Sequence, residues 1–363
     1  MVKPAARPKV TIDVAPLLED QWTGIPVFTR RLIQALQQDG RVELEFCCNY
    51  SLIPSEHVNA AIKIGTGAFL KDSLANAARA PKLVDPGSHL FFPSVKPAWD
   101  VSRHEASTVH DMSTLFMPEN HEEANIAYHL DHLKNELASD EVVFCVSEAT
   151  REALLSAFPS VGNKARVLYQ YVDWPEEFAL LDENMPPLNL GRYAAVIGTI
   201  EPRKNLTLLI NAMPLPEIAD SGLKFIVIGK KGWLVDKFLA DLTPEQREKL
   251  VFSGFVSEFI KYRLLKNAEF LVFPSLYEGF GIPALEALSL GKPVLASRTS
   301  SFPEVIGDAG LYFDPLSTTD FAACLAEFTK PKLQAELASR ALAQSRLFGP
   351  ARMAEPIIEW VSA

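Results

Sequence analysis

The chain has 363 residues, 48% of them hydrophobic and 22% charged, with a formal net charge of −10. That length suits two domains of ordinary size, and the composition excludes a disordered polypeptide. The charge argues against nucleic acid as the main partner and gives no general pull toward anionic lipid. The acidity lies in the first half: residues 1–190 carry 16 basic and 26 acidic side chains, and residues 191–363 carry 19 of each. Cys47, Cys48, Cys145 and Cys324 lack metal-ligand spacing and read as reduced thiols of a cytosolic protein. The opening MVKPAARPKV has no apolar signal core, and no apolar run reaches membrane-spanning length. A soluble protein, or one resting on a membrane, is expected.

In chain order, short apolar runs predict strands over 10–17, 42–50, 89–93, 107–111, 142–147 and 166–172, with a helix over 26–38. The segment 176–192 carries turn residues and little periodicity, and reads as an interdomain linker. Strands over 193–200, 224–229, 250–255, 270–275, 293–297 and 310–314 follow, with a helix over 204–213. Most runs are apolar on both faces, as buried parallel strands are. Their alternation with helices predicts doubly wound sheets, one in a domain over 1–180 and one over 190–349. A last helix over about 350–363 is expected to pack back on the first domain, kinked at Pro356.

The stretch FPSLYEGFGIPALEALSLGKPVLAS, residues 273–297, holds the most chemistry. Glu278 and Glu286 stand eight positions apart, around Gly279, Phe280, Gly281 and a helix-opening Pro283. A strand, a tight loop and a helix start offer backbone N–H groups and a positive helix end to an anion. Carboxylates beside such a place suit hydroxyls, and a phosphate flanked by hydroxyls describes a sugar nucleotide. Arg203 and Lys204 follow the turn GTIEP at a helix start. Cations are disfavoured there unless an anion binds. His110 ends the run STVHD at the carboxyl end of a strand, with Asp111 behind it to hold the loop. No P-loop, Ser-His-Asp set or metal-type cluster stands out.

Four blocks together resemble the retaining glycosyltransferases of family 4: TGIPVFTRRLIQAL near the N-terminus, GTIEPRKNLTLLINAM at 198–213, VIGKKGW with FSGFVSE, and 273–297 with SSFPEVIGDAGLYFDP behind it. Within that family, EPRKN with SLYEGFG is most similar to bacterial mannosyltransferases of surface-polysaccharide (O-antigen and exopolysaccharide) assembly. The resemblance implies an α/β protein of GT-B fold, two Rossmann-like doubly wound parallel-sheet domains facing a central cleft. It implies catalytic roles for Glu278, Arg203, Lys204 and His110. Glu286 would take the ribose hydroxyls, and Glu278 the hydroxyls of the transferred sugar. The amides of Gly279, Phe280, Gly281 and Ile282 would approach the sugar and diphosphate, and Gly24 the donor phosphate or acceptor. Arg203 and Lys204 would meet the charge growing on the leaving diphosphate.

The resemblance further implies no cofactor and no metal at this site, with a GDP-sugar, GDP-mannose, as donor substrate. The expected acceptor is a lipid-linked glycan on the cytoplasmic face of the inner membrane, with peripheral membrane contact. A UDP- or dTDP-sugar donor, a sugar-nucleotide epimerase and a non-catalytic sugar-nucleotide-binding subunit are the alternative readings. The chain departs from the family pattern at Pro26, where a second glycine is expected, and at QYVD (170–173), where relatives often carry an Asn-Gly turn. Lys230 and Lys231 read as a solvated face. Arg30–Arg31 reads as a polar helix face or as a membrane or acceptor contact.

Overall fold

The first sheet is built from β1 (Lys9–Asp13), β2 (Glu43–Cys48), β3 (Ser51–Ile53), β4 (His89–Phe92), β5 (His104–Val109), β6 (Val142–Cys145) and β7 (Ala165–Val167). The second contains β8 (Tyr193–Ile197), β9 (Lys224–Ile228), β10 (Leu250–Gly254), β11 (Leu271–Phe273), β12 (Val294–Ser297) and β13 (Gly310–Phe313). The computed structural model describes residues 7–77, 82–232 and 239–363. The start of MVKPAARPKV and Trp233 of VIGKKGW lie outside the described residues. Strand order is β3-β2-β1-β4-β5-β6-β7 in the first sheet and β10-β9-β8-β11-β12-β13 in the second. Every pairing is parallel except β2 with β3. Both orders reverse direction at an internal strand pair, β1/β4 and β8/β11. That reversal is where doubly wound sheets bind ligands.

Successive residues of a strand face opposite sides, so a sheet covered by helices on both faces needs apolar residues throughout. The second sheet meets this condition: Ala194, Val196, Val227 and Val272 enter one buried cluster, and Tyr193, Ala195, Ile197 and Phe273 enter the other. The chain divides into two compact units. One comprises 1–116, 123–171 and 348–363; the other comprises 117–122 and 172–347.

Several boundaries differ from expectation for physical reasons. The run 10–17 stops being a strand at Asp13 and becomes a 3-10 turn over Ala15–Leu18, where Pro16 has no N–H for a ladder. The run 42–50 is followed by a hairpin to β3, turned at Asn49 and Tyr50 with φ of 47° and 61°. The segment 176–192 is not a bare linker, because it contains the helix Glu176–Glu183. Phe178 of that helix packs on Phe259 and Tyr262, and Asp182 accepts from Arg263 at 2.6 Å. The units divide before this helix, at 171/172. The last helix, Pro350–Ser362, runs through Pro356 and packs on the helix Ile25–Asp39 within the first unit.

β5 starts three residues earlier than its apolar run, at the polar pair His104–Glu105. Burial of Glu105 is offset by Lys96, whose side chain is 0% exposed. Lys96 Nζ reaches Glu105 Oε2 at 2.9 Å, Asp140 Oδ1 at 2.8 Å and Ser139 Oγ at 2.5 Å. The backbone N–H groups of Val101 and Ser102 donate to the other Glu105 oxygen at 2.6 and 2.9 Å. Burial opposes ionisation of Glu105, but Lys96 and Ser102 hold its carboxyl below the usual range. Removing one partner of such a network strands a buried charge. Lys96→Met is therefore expected to lower the unfolding free energy by about 3–5 kcal/mol, read by urea denaturation. A loss below about 1 kcal/mol would show that the network relaxes without cost.

Candidate functional site

The loop after β8 and the loop after β11 leave adjacent strands at the reversal of the second sheet. After β8 the chain makes a 3-10 turn over Pro202–Lys204, and the helix Leu206–Ala212 follows. Between them Asn205 adopts a left-handed conformation, φ 55° and ψ 37°, which asparagine tolerates better than most residues. Its Nδ2 donates to the carbonyls of Pro274 at 3.1 Å and Pro315 at 2.9 Å. Leu276 N donates to Arg203 O at 2.8 Å. These bonds tie the basic turn to the loops that follow β11 and β13.

Glu278 lies on that tie. Lys204 Nζ sits 2.5 Å from Glu278 Oε1, and Arg203 Nη1 sits 3.2 Å from Oε2. Arg203 also donates to Tyr277 O at 2.7 Å and, through Nη2, to Glu201 Oε1 at 2.8 Å. Glu201 orients the turn by holding the guanidinium. Glu278 N donates to Ser300 Oγ at 3.0 Å, and Ser301 Oγ donates to the carbonyls of Glu278 and Phe280. Burial works against ionisation of Glu278, yet Lys204 and then Arg203 hold its carboxyl below the usual range. The family resemblance implied a phosphate for the two cations and a sugar for Glu278. The structure joins all three in one ion cluster, with two positive and two negative groups once Glu201 is included.

Phe280 is buried, and Gly281 precedes the helix Ile282–Ser289 with φ 89°. A Cβ at Gly281 would lie 3.0 Å from Phe302 Cε1, so both the backbone angle and the space require glycine. Pro283 stands in the first helical turn, where its missing N–H costs nothing. Glu286, 1% exposed, follows on the same helix, and Lys261 Nζ lies 2.5 Å from its Oε1. Lys261 comes from the helix Glu258–Asn267, and its ammonium also lies 5.3 Å from the Trp174 ring centroid. Sequence reasoning missed Lys261 and Trp174. In EFIKYRLLKN nothing local separates Lys261 from Lys266, and only the fold brings it to Glu286.

His110 and Gly24 belong to the first unit, whereas Arg203, Lys204, Glu278 and Glu286 belong to the second. His110 follows β5 and points Nε2 at Pro93 O, 2.6 Å away. A carbonyl only accepts, so Nε2 carries the hydrogen and Nδ1 of the neutral ring is left as an acceptor. Burial pushes the imidazole pKa below its usual range, against the Pro93 bond, and the Phe28 ring packs edge-on at 4.8 Å. Asp111 accepts from Ser113 N and Oγ at 2.9 and 2.6 Å, which holds the loop. Gly24 starts the first helix with φ 51°, and Pro26 occupies its first turn. Arg31 is 1% exposed and so does not lie on a polar helix face, whereas Arg30 beside it is half-buried. Lys230 and Lys231 are exposed.

Two doubly wound sheets, with a basic turn and two glutamates at the strand reversal of the second, define a GT-B protein. Residues 187–344 match the family of Glycosyl transferases group 1. The chain carries a domain of that family. The O-antigen chain mannosyltransferase B of Escherichia coli is 33% identical over 250 residues, covering 67% of this chain and 66% of that protein. The serotype-specific mannosyltransferase WbdA of Escherichia coli is 29% identical over 241 residues, 62% of this chain and 29% of WbdA. The chain thus spans about two thirds or less of the length of these relatives. The sucrose-phosphate synthase structure from Thermosynechococcus elongatus shares the fold with a TM-score of 0.70 and 18% identity, over 97% of this chain and 98% of that one.

The ion cluster has a pH signature. The Glu278 carboxyl is depressed in the folded protein, so its stabilisation is complete above the unfolded value of about 4.3 and is lost as pH falls through the lower, folded value. The stability difference between the wild type and Glu278→Gln should therefore stay constant from about pH 5 to 8 and shrink below about pH 4. Urea unfolding at a series of pH values measures it. A difference that persists undiminished at about pH 2 would mean that Glu278 is not the ionised partner of the two cations.

Proposed function

We propose that the chain is a retaining hexosyltransferase that moves mannose from GDP-mannose to a growing glycan in bacterial surface-polysaccharide assembly. The observation that carries this reading is Glu278 held between Lys204 and Arg203 at the strand reversal of the second sheet. When a sugar nucleotide loses its sugar, negative charge grows on the leaving diphosphate. Two cations fixed in a partly dry site stabilise that charge more than they stabilise the bound donor. In the absence of donor their charge is met by Glu278. As the diphosphate enters, Arg203 and Lys204 turn toward its oxygens and Glu278 turns to the sugar hydroxyls. There it also favours positive charge at the anomeric carbon.

Glu286 accepts from the ribose hydroxyls, and the Gly279–Ile282 loop lets the diphosphate approach the backbone. His110, through Nδ1, accepts a hydroxyl of the donor sugar. The acceptor hydroxyl attacks on the face from which the diphosphate leaves, and a phosphate oxygen takes its proton, so configuration is retained without a separate side-chain base. The mannosyltransferase descriptions of the relatives support mannose as the sugar. The acceptor is a lipid-linked glycan, and the protein works in the cytoplasm at the inner membrane surface. Among the described residues no helix is long and apolar enough to cross a membrane.

Thermal shift with GDP-, UDP-, dTDP- and ADP-sugars identifies the donor, since a ligand that binds only the folded state raises Tm. GDP-mannose is expected to raise it most. With that donor, Arg203→Ala and Glu278→Ala should each lower turnover by at least about 100-fold while circular dichroism stays native. Near-wild-type turnover in both purified variants would sink this assignment.

A further inference from the structure

Three polar side chains that the sequence keeps far apart meet at the other end of the first sheet. His89 opens β4 and His104 opens β5, and the two are register partners across the parallel pair. Their rings stack with centroids 4.6 Å apart. Glu141 directly precedes β6, and its backbone N–H donates to Glu105 O at 2.8 Å. Its Oε2 lies 3.0 Å from His104 Nδ1. One donor atom from each of His89, His104 and Glu141 lies within 4.8 Å of the others.

We propose that His89, His104 and Glu141 form a binding site for a divalent transition-metal ion of the zinc class. Two imidazoles and one carboxylate are a donor set that zinc accepts, with the fourth position left to water. Zinc bonds of about 2.0–2.2 Å place tetrahedral ligands about 3.3–3.5 Å apart. The His104–Glu141 pair, in direct contact at 3.0 Å, opens by a few tenths of an ångström to admit the ion, and His89, within 4.8 Å, closes the remaining gap by turning its ring. Three adjacent strands fix the backbones, so little order has to be gained on binding. Both histidines are half-buried and Glu141 is exposed, which leaves the ion a path in from solvent.

The surroundings are those of a supported site. Trp360 Nε1 donates to Glu141 Oε2 at 3.0 Å and orients the carboxylate. Hydrogen bonds to metal-ligating groups commonly have this role. The same indole packs edge-on against His89 at 5.1 Å. Trp360 belongs to the last helix, Pro350–Ser362. An ion here would fix two residues that Trp360 of that helix contacts. It would lie about 20 Å along β5 from His110, at the opposite strand end, so its role is structural and separate from sugar transfer.

The test uses the full chain, stripped with a chelator and titrated with zinc chloride by calorimetry. One zinc per chain is expected, with a Kd of roughly 10 μM or tighter. At about 100 μM zinc, Tm should rise by about 3–6 °C. His89→Gln and His104→Gln should each weaken binding more than about 100-fold, and Trp360→Phe, which removes the supporting N–H and leaves a smaller ring, by about tenfold. His57→Gln, at a histidine paired with Ser73 elsewhere in this unit, should leave binding unchanged. Cobalt(II) in place of zinc should give the visible absorption of a four-coordinate ion in the wild type, a readout that needs no variant. Absence of both stoichiometric zinc binding and the cobalt band in the wild type would overturn the site, as would full binding in a folded His89→Gln/His104→Gln protein.

Discussion

The contact of Glu278 with Lys204 and Arg203 joins two loops that the sheet itself leaves apart. The ladders of β8 and β11 end at Ile197 and Phe273, and beyond them nothing in a parallel sheet dictates where the chain goes. Three backbone carbonyls are recruited as fixed points: Arg203 O takes Leu276 N, and Pro274 O and Pro315 O take the Asn205 side chain. With those in place, Arg203 and Lys204 both meet Glu278. A buried ion cluster gains little over apolar residues of equal volume, because desolvation cancels much of the attraction. Its presence at a strand reversal therefore points to ligand chemistry more than to stability. Paired charges are also preorganised charges, and they need no rearrangement of bulk water when a new anion arrives.

Gly281 sets the position of the second carboxylate. Its left-handed backbone turns the chain sharply enough for the helix Ile282–Ser289 to start directly under Phe302. Glu286 then falls one turn into the helix, on its buried side, where Lys261 meets it. The eight-residue spacing of the two glutamates is thus the length of one tight loop plus one helical turn. Each carboxylate is balanced by cations from a different element, Arg203 and Lys204 for one and Lys261 for the other. A ligand with a charged middle and hydroxyl-rich ends can address both pairs.

The existence of the strands was legible because residues apolar on both faces leave few alternatives to a buried parallel sheet. Their ends were less legible. β5 begins with His104 and Glu105, which look like loop residues until Lys96, 9 residues from Glu105, is found beside them. In the helix Glu176–Glu183, Phe178 faces aromatic partners far along the chain, Phe259 and Tyr262, while Leu180 and Leu181 are exposed, so its periodicity carried little signal. Arg203, Lys204, Glu278 and Glu286 were readable because their neighbours in sequence are loop and helix-start residues with a specific geometry. Lys261 was not, since its meaning depends wholly on Glu286. Nor were His89, His104 and Glu141, which no spacing rule connects and which only the parallel register brings to one sheet edge.

The two buried lysine clusters show what separates a structural ion network from a site. Lys96 and Lys204 both lie against carboxylates, and the sequence offers a stronger cue only for Lys204. Lys96 is closed: its side chain is 0% exposed, and its three N–H bonds are matched by Glu105, Asp140 and Ser139. A further acceptor has nowhere to enter, so the network can only hold the first sheet together. Lys204 remains 16% exposed and gives one bond to Glu278, beside an Arg203 that is 12% exposed. An ammonium has three donors, and here an anion can reach them without dismantling the fold. The difference lies in how many acceptors are already in place and whether another can approach. By that measure the strand reversal of the second sheet is built to exchange partners, and the Lys96 network is built to keep them.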